Sequence, residues 1–143
     1  MRVLFLCTGN SARSQMAEGF ASQMADLGVR VYSAGTEPQG LNPLAVAVMS
    51  QKGVDISGYR SKSLAEVPGE FDYVITLCGE AAEQCPSFPG KVKRIHWPLP
   101  DPAKVEGNEA QRLAVFRNVR DWIERLVTEL FSSDEFRRRL GGA

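Results

Sequence analysis

Hydrophobic residues in this chain occur in two patterns, as short strand-like segments and as repeats at helical spacing. The first segment is an apolar run too short for a buried helix, and three further short segments rich in apolar residues also predict β-strands. Four such strands are predicted, at residues 3–7, 29–33, 71–77 and 92–97.

The repeats at helical spacing predict three helices. In the first, apolar residues recur up to Leu27, and Gly28 follows where a left-handed residue often ends a helix. The second begins at Pro43 behind the capping residue Asn42 and ends before Gly53. The third is long, and its apolar face consists of Leu113, Phe116, Val119, Ile123, Leu126 and Leu130.

Strands and helices alternate along the first half of the chain, which implies right-handed crossovers and a parallel sheet. Residues 54–70 are polar and predicted to be mostly loop, whereas residues 79–84 have helical propensity. A chain of 143 residues with 43% hydrophobic content suits one core. We therefore predict a single α/β domain spanning residues 1–143, with helices on both faces of the sheet.

The charge balance argues against two classes of partner. Seventeen basic residues balance seventeen acidic ones, so no overall field favours nucleic acid or an anionic membrane. We interpret the arginines at 137–139 as a solvated face or a frayed tail. No apolar run approaches the ~20 residues that span a bilayer, and three cysteines fit a reducing compartment. We expect a cytoplasmic monomer.

The first strand leads into a loop suited to a tetrahedral oxyanion. Its short side chains allow backbone N–H groups to form an anion nest, the next helix adds the positive end of its dipole, and Arg13 offers a planar fork. Cys7 lies at the bottom of this field, which favours a nucleophilic thiolate. The alternative is a buried cysteine before an ordinary loop. The predicted oxyanion-binding residues are Thr8, Gly9, Asn10, Ser11, Ala12, Arg13 and Ser14.

Two further cysteines and one acid extend this candidate site. Cys78 ends the third strand, and because the carboxyl ends of parallel strands share one edge, Cys7 and Cys78 should emerge together. Cys78 and Cys85 could also be two core thiols. A single histidine and no close cysteine pair give no metal-ligand spacing, so we expect no metal. Asp101, in a proline-rich loop after the fourth strand, suits a general acid or a simple turn.

In combination, these motifs resemble the low-molecular-weight protein tyrosine phosphatases and the thioredoxin-coupled arsenate reductases that share their fold. Both families carry the cysteine-to-arginine loop near the N-terminus. The segment from Val74 to Glu80, closed by Cys85 and Pro86, resembles the redox segment of the reductases. The phosphatases typically carry tyrosines after the corresponding Asp-Pro, where this chain has Ala103 and Lys104. The resemblance therefore favours the reductases.

The resemblance implies a four-stranded sheet in the order 2-1-3-4 and reduction of arsenate to arsenite by three cysteines. Cys7 would attack arsenic while Arg13 stabilises charge and Asp101 protonates the departing oxygen. A Cys7–Cys78 disulfide would then give way to a Cys78–Cys85 disulfide. The implied reductant is external thioredoxin, with no bound cofactor. A low-molecular-weight phosphatase and a non-catalytic anion-binding or thiol-sensing module are the alternatives.

The sequence departs from the resemblance in three places. Many members carry an extra cysteine in the anion loop, where this chain has Ala12. The stretch beyond about Ser132 has no clear counterpart and is assigned no function. The third departure concerns a potassium site.

Some members bind potassium near the loop through an asparagine, a glutamate, a serine, a threonine and an aspartate. Lys62 stands in the last of these places, and we expect it either to bring an ammonium group to the site or to point to solvent. The five positions correspond in this chain to Asn10, Glu18, Ser33, Arg60 and Lys62.

Overall fold

A computed structural model describes residues 1–26, 28–78, 90 and 92–141. Four parallel strands form one sheet in the order β2-β1-β3-β4, which confirms the predicted α/β fold and strand order. Each strand begins or ends within two residues of its predicted boundary. The strands are β1 (Arg2–Cys7), β2 (Arg30–Gly35), β3 (Tyr73–Thr76) and β4 (Lys93–His96).

The register of the two central strands brings the first two cysteines to one edge of the sheet. Leu6 of β1 pairs with Thr76 of β3, and the Leu77 N–H donates to the Leu6 carbonyl at 2.8 Å. Cys7 and Cys78, each one residue further along, therefore leave the sheet at the same edge. Both are buried.

Four α-helices are present in the described residues, α1 (Arg13–Met24), α2 (Pro43–Ser50), α3 (Glu109–Ser132) and α4 (Asp134–Leu140). The predicted cap of α2 is confirmed, since the Asn42 side chain accepts from the Leu44 N–H at 2.8 Å. The first helix ends at Met24, earlier than the apolar repeat indicated, because Ala25 is already extended.

The last part of the chain is more ordered than a frayed tail. Ser133 is extended and breaks the helix after α3, and its hydroxyl then accepts from the Phe136 N–H to cap α4. The arginines at 137–139 are exposed on α4, as the solvated-face alternative predicted.

Two apolar clusters cover the faces of the sheet. The larger one joins Val3, Phe5 and Ile75 to the buried sides of α1, α2 and α3. On the opposite face Leu4 and Leu6 pack with residues around the short 3₁₀ helix Leu64–Glu66. The loop predicted at 54–70 contains that helix. Ser63, the residue before the helix, forms a bridge with Gly35 at the end of β2.

No helix in the described part of the chain is long and apolar enough to cross a membrane. The helical segment predicted at 79–84 and the third cysteine, Cys85, lie outside the described residues.

Candidate active site

The loop between β1 and α1 turns its carbonyl groups away from its own centre. The carbonyls of Thr8, Gly9 and Ser11 accept from the N–H groups of residues 37, 39 and 42, each at 2.9 Å. All described peptide bonds are trans, so each following N–H points opposite to the preceding carbonyl. The segment after β2 thus holds the N–H groups of residues 9, 10 and 12 toward the inside of the loop.

The first turn of α1 completes this ring of donors. No side chain caps the N-terminus of the helix, and its first turn contains no acidic residue. Helix N-termini that are not capped by side chains are ready sites for anions. The loop and the helix together can therefore surround an oxyanion with backbone donors.

Cys7 lies at the bottom of this loop and is only 2% exposed. Its sulfur accepts from the Asn10 N–H at 3.2 Å and lies 2.9 Å from the Ser14 hydroxyl. The Asn10 N–H is a donor, and the Ser14 hydroxyl can donate as well, so both groups can stabilise a negatively charged sulfur. The sequence placed Ser14 among the oxyanion-binding residues, and in the structure its hydroxyl contacts the sulfur of Cys7.

Arg13 is buried, and two backbone carbonyls fix its guanidinium. One nitrogen, Nη1, donates to the carbonyl of Leu77 at 2.9 Å and to that of Leu99 at 3.0 Å. These carbonyls belong to the segments that follow β3 and β4. The planar fork is therefore held by the same two segments that carry Cys78 and Asp101.

Asp101 faces the same cavity from the loop after β4. One carboxylate oxygen accepts from the Ala103 N–H at 3.0 Å, and the other lies 3.7 Å from Nη2 of Arg13. The turn geometry anticipated from Asp-Pro is present, because Asp101 caps the 3₁₀ helix Pro102–Lys104. The two sequence interpretations of Asp101, turn former and acid near the loop, thus coexist in one geometry.

These groups enclose a cavity of about 60 Å³. A buried water needs about 10–15 Å³ by this kind of measure. The cavity is therefore large enough for a small tetrahedral oxyanion. Every residue predicted for the site from Cys7 to Arg13 lines it except Asn10. The lining residues are Cys7, Thr8, Gly9, Ser11, Ala12, Arg13, Gln39, Asp101 and Lys104.

Asn10 instead lies behind the loop and is fully buried. It adopts a left-handed conformation with φ +46°, which asparagine tolerates better than most residues. Its side-chain amide donates to the hydroxyls of Ser14 at 2.7 Å and Ser33 at 3.0 Å. Asn10 therefore supports the loop from behind and does not face the cavity.

Three residues of the site were missed by sequence reasoning. Gln39 and Lys104 line the cavity, and Gly35 lies directly behind the loop, where a Cβ atom would come within 2.6 Å of the Thr8 carbonyl. Lys104 carried a weak signal, since it follows the Asp-Pro pair. Gln39 and Gly35 carried none, because each reaches the loop only through the pairing of β2 with β1.

The structure describes two of the three predicted cysteines, Cys7 and Cys78. Cys7 and Cys78 lie at one edge of the sheet, and Arg13 contacts the carbonyl of Leu77, the residue before Cys78. The position of Cys85 lies outside the described residues, so the predicted cysteine pair stays a prediction. Within the described part of the chain, no histidine, cysteine or carboxylate cluster could hold a metal ion.

Comparison with known proteins places the chain in a family. Residues 2–140 match the model of the low molecular weight phosphotyrosine protein phosphatase family. The chain is 47% identical over 134 residues to an arsenate reductase from Shouchella clausii, covering 93% of this chain and 96% of the relative.

Solved structures agree with this assignment. An arsenate reductase in a phosphate-binding state superimposes with a TM-score of 0.76 at 35% identity, covering 92% of this chain and 96% of the other. A thioredoxin-dependent arsenate reductase from Corynebacterium glutamicum gives 0.61 at 30% identity, covering 90% of this chain and 60% of the other. With its cysteine-to-arginine loop, its sheet order and these relatives, the chain belongs to the low molecular weight phosphotyrosine protein phosphatase family.

Proposed function

We propose that this protein reduces arsenate to arsenite by a cascade through Cys7, Cys78 and Cys85, with thioredoxin as the external reductant. The observation that carries the proposal is the position of Cys78, buried at the same sheet edge as Cys7 and one residue from a carbonyl that Arg13 contacts. A phosphatase needs only Cys7, Arg13 and an acid. A second cysteine at that edge is what reduction requires.

In the first step the Cys7 thiolate attacks arsenic bound in the loop. Backbone N–H groups and Arg13 stabilise the charge that develops on the arsenate oxygens. Asp101 donates a proton to one of these oxygens, which leaves as water while a sulfur–arsenic bond forms. Its distance of 3.7 Å from Arg13 leaves the carboxyl group beside the cavity in which that oxygen would lie.

The second step transfers two electrons. Cys78, as a thiolate, attacks the sulfur of Cys7, and a Cys7–Cys78 disulfide forms as the sulfur–arsenic bond breaks. The electron pair of that bond stays with arsenic, which leaves as arsenite. Cys85 then attacks Cys78, which frees Cys7 as a thiolate. The Cys78–Cys85 disulfide is finally reduced by the dithiol of thioredoxin, which becomes oxidised.

The relatives support this proposal in two respects. The similar proteins from Shouchella clausii and Corynebacterium glutamicum are named as arsenate reductases, and the second is named as thioredoxin-dependent. This chain itself adds further support, because Lys104 follows Asp101, Pro102 and Ala103 and lines the cavity. A cation there attracts a small, doubly charged oxyanion.

The experiment compares two reactions of the purified protein. Oxidation of NADPH should be fast when arsenate, thioredoxin and thioredoxin reductase are all present. Omission of any one of these three should stop it. Hydrolysis of an aryl phosphate, the reaction of a phosphatase with this loop, should be slow. Fast hydrolysis without arsenate-dependent NADPH oxidation would contradict the proposal and favour the phosphatase.

A further inference from the structure

A buried polar cluster connects Lys62 with Cys7 behind the anion loop. The Lys62 ammonium lies 3.8 Å from the Glu18 carboxylate and donates to the Arg60 carbonyl at 2.7 Å. Only 18% of the Lys62 side chain and 16% of the Glu18 side chain are exposed. This pair is therefore much better shielded from water than an ordinary surface ion pair.

The hydrogen-bond directions in the cluster are determined from the Asn10 amide outward. Its oxygen accepts from the Lys62 N–H at 2.8 Å and from the Gln15 amide at 3.0 Å. Since two donors face this oxygen, the amide nitrogen must face the other way. It donates to Ser33 at 3.0 Å and to Ser14 at 2.7 Å.

Each serine then has one proton left to donate. The Ser33 hydroxyl accepts from Asn10 and donates to Glu18 at 2.5 Å. The Ser14 hydroxyl also accepts from Asn10. A Cys7 thiolate can only accept, so in that state the Ser14 proton points to the sulfur at 2.9 Å. In the described arrangement Ser33 donates to Glu18 and accepts from Asn10, so Glu18 acts as an acceptor.

A nearby positive charge favours that role of Glu18. Burial holds the pKa of Glu18 above its ordinary value, and the Ser33 hydroxyl and the Lys62 ammonium offset part of that rise. A protonated Glu18 could instead donate to Ser33, and the Ser33 proton would then need another acceptor. The cation beside Glu18 therefore supports the direction of the whole cluster.

Some members of the family bind potassium at the corresponding place, which raises the question of whether this chain fits the same ion. The ammonium of Lys62 already lies against the carboxylate and the carbonyl that would coordinate it. A second cation there would be repelled by the first. The residues present do not fit a bound potassium ion.

We propose that the Lys62 ammonium takes the place of a bound potassium ion and positions the Ser14 hydroxyl on Cys7 through Glu18, Ser33 and Asn10. Lys62 is thus a positioning residue that touches neither the oxyanion cavity nor the sulfur. Wild-type activity is expected to be the same in potassium and sodium at matched ionic strength.

The test follows Cys7 directly, so that it does not depend on the proposed reaction. In a Cys78→Ser, Cys85→Ser background Cys7 is the remaining cysteine, and its alkylation by iodoacetamide is followed by mass spectrometry. Adding Lys62→Met should slow alkylation by about fivefold to tenfold, the loss expected from weakening a hydrogen bond to a charged sulfur. Potassium, but not sodium, should restore part of the rate, and Lys62→Arg should retain most of it.

Lys52→Met is the matched control, because Lys52 forms a similar pair with Glu124 at 3.1 Å between α2 and α3, away from the loop. It should alkylate at the wild-type rate. Equal rates for Lys62→Met and Lys52→Met would overturn the proposal. If Lys62→Met fails to fold, the cation comparison on wild type decides, and stimulation of wild-type activity or alkylation by potassium over sodium would also overturn it.

Discussion

The Ser14 hydroxyl lies 2.9 Å from the sulfur of Cys7, at the N-terminal end of α1. Asn10 donates to the same hydroxyl at 2.7 Å. When Cys7 is a thiolate it can only accept, so the serine proton is then directed to the sulfur. This relationship makes Ser14 a donor to the nucleophile, in addition to any contact with the bound oxyanion.

Replacement of Ser14 should therefore slow the chemistry of Cys7. A hydrogen bond to a charged group contributes about 1.5–3 kcal/mol, and Ser14→Ala should lower kcat/KM for arsenate about 10- to 100-fold. The exposed Ser50 at the end of α2 offers a control. Steady-state kinetics of Ser14→Ala equal to those of Ser50→Ala would show that the contact has no catalytic value.

Replacement of each cysteine in turn should separate arsenate reduction from phosphate ester hydrolysis. Cys7→Ser should abolish arsenate reduction and any phosphate ester hydrolysis, because both need the nucleophile. Cys78→Ser and Cys85→Ser should lose multiple-turnover reduction and keep hydrolysis. Both activities are measured on variants with a native-like thermal transition. Loss of hydrolysis in all three folded variants would contradict this division of roles among the cysteines.

Gly35 should be essential for the shape of the anion loop. A Cβ at this position would lie 2.6 Å from the Thr8 carbonyl and 2.9 Å from the Asn10 nitrogen, and both are backbone atoms that cannot move independently. Gly35→Ala should therefore displace the loop, weaken phosphate binding measured by calorimetry, and cost about 1–3 kcal/mol of stability.

Gly58 provides the matched control for this glycine. A Cβ there meets no atom within 4 Å, and Gly58 has no left-handed backbone conformation. Gly58→Ala should bind phosphate as the wild type does. Normal phosphate affinity in Gly35→Ala would contradict the close approach of β2 to the loop.

Helix α4 should contribute stability rather than catalysis. Phe136 is 1% exposed, stacks on Phe131 with ring centroids 4.5 Å apart and packs against Tyr73 at 5.2 Å. Phe136→Ala should lower the free energy of unfolding by about 3–5 kcal/mol, measured by urea denaturation. The kcat of the folded protein at low temperature should not change.

The aromatic control is Trp122, which is 41% exposed on α3. Trp122→Ala should change stability by less than Phe136→Ala, because 41% of the Trp122 surface stays in water whereas Phe136 is almost fully buried. Similar losses for the two variants would mean that α4 does not pack on the core as described.

The elements with local signals were predictable from the sequence. Asn42 caps α2 because a cap depends on residues two positions apart, and the β1 strand depends on its own apolar run. Cys7 and Arg13 are joined by a loop short enough that their proximity follows from chain connectivity. The shared edge of Cys7 and Cys78 followed from the rule that parallel strands end together.

The break at Ser133 was not predictable from the apolar face of the long helix. The signal lay in the next residues: Ser133 caps α4 and is followed by Asp134 and Glu135, acidic residues that favour the start of a helix. Phe136 is buried only because α4 turns back against Tyr73 of β3.

Sequence alone determined the anion loop, its nucleophile and its arginine, because their chemistry arises from neighbouring residues and from the start of one helix. Tertiary structure decided which distant groups reach that loop. Gly35 and Gln39 arrive through the pairing of β2 with β1, Leu77 and Leu99 hold Arg13 from the ends of β3 and β4, and Lys62 meets Glu18 from 44 positions away in the chain. Such contacts depend on how the whole chain packs, and no local spacing encodes them.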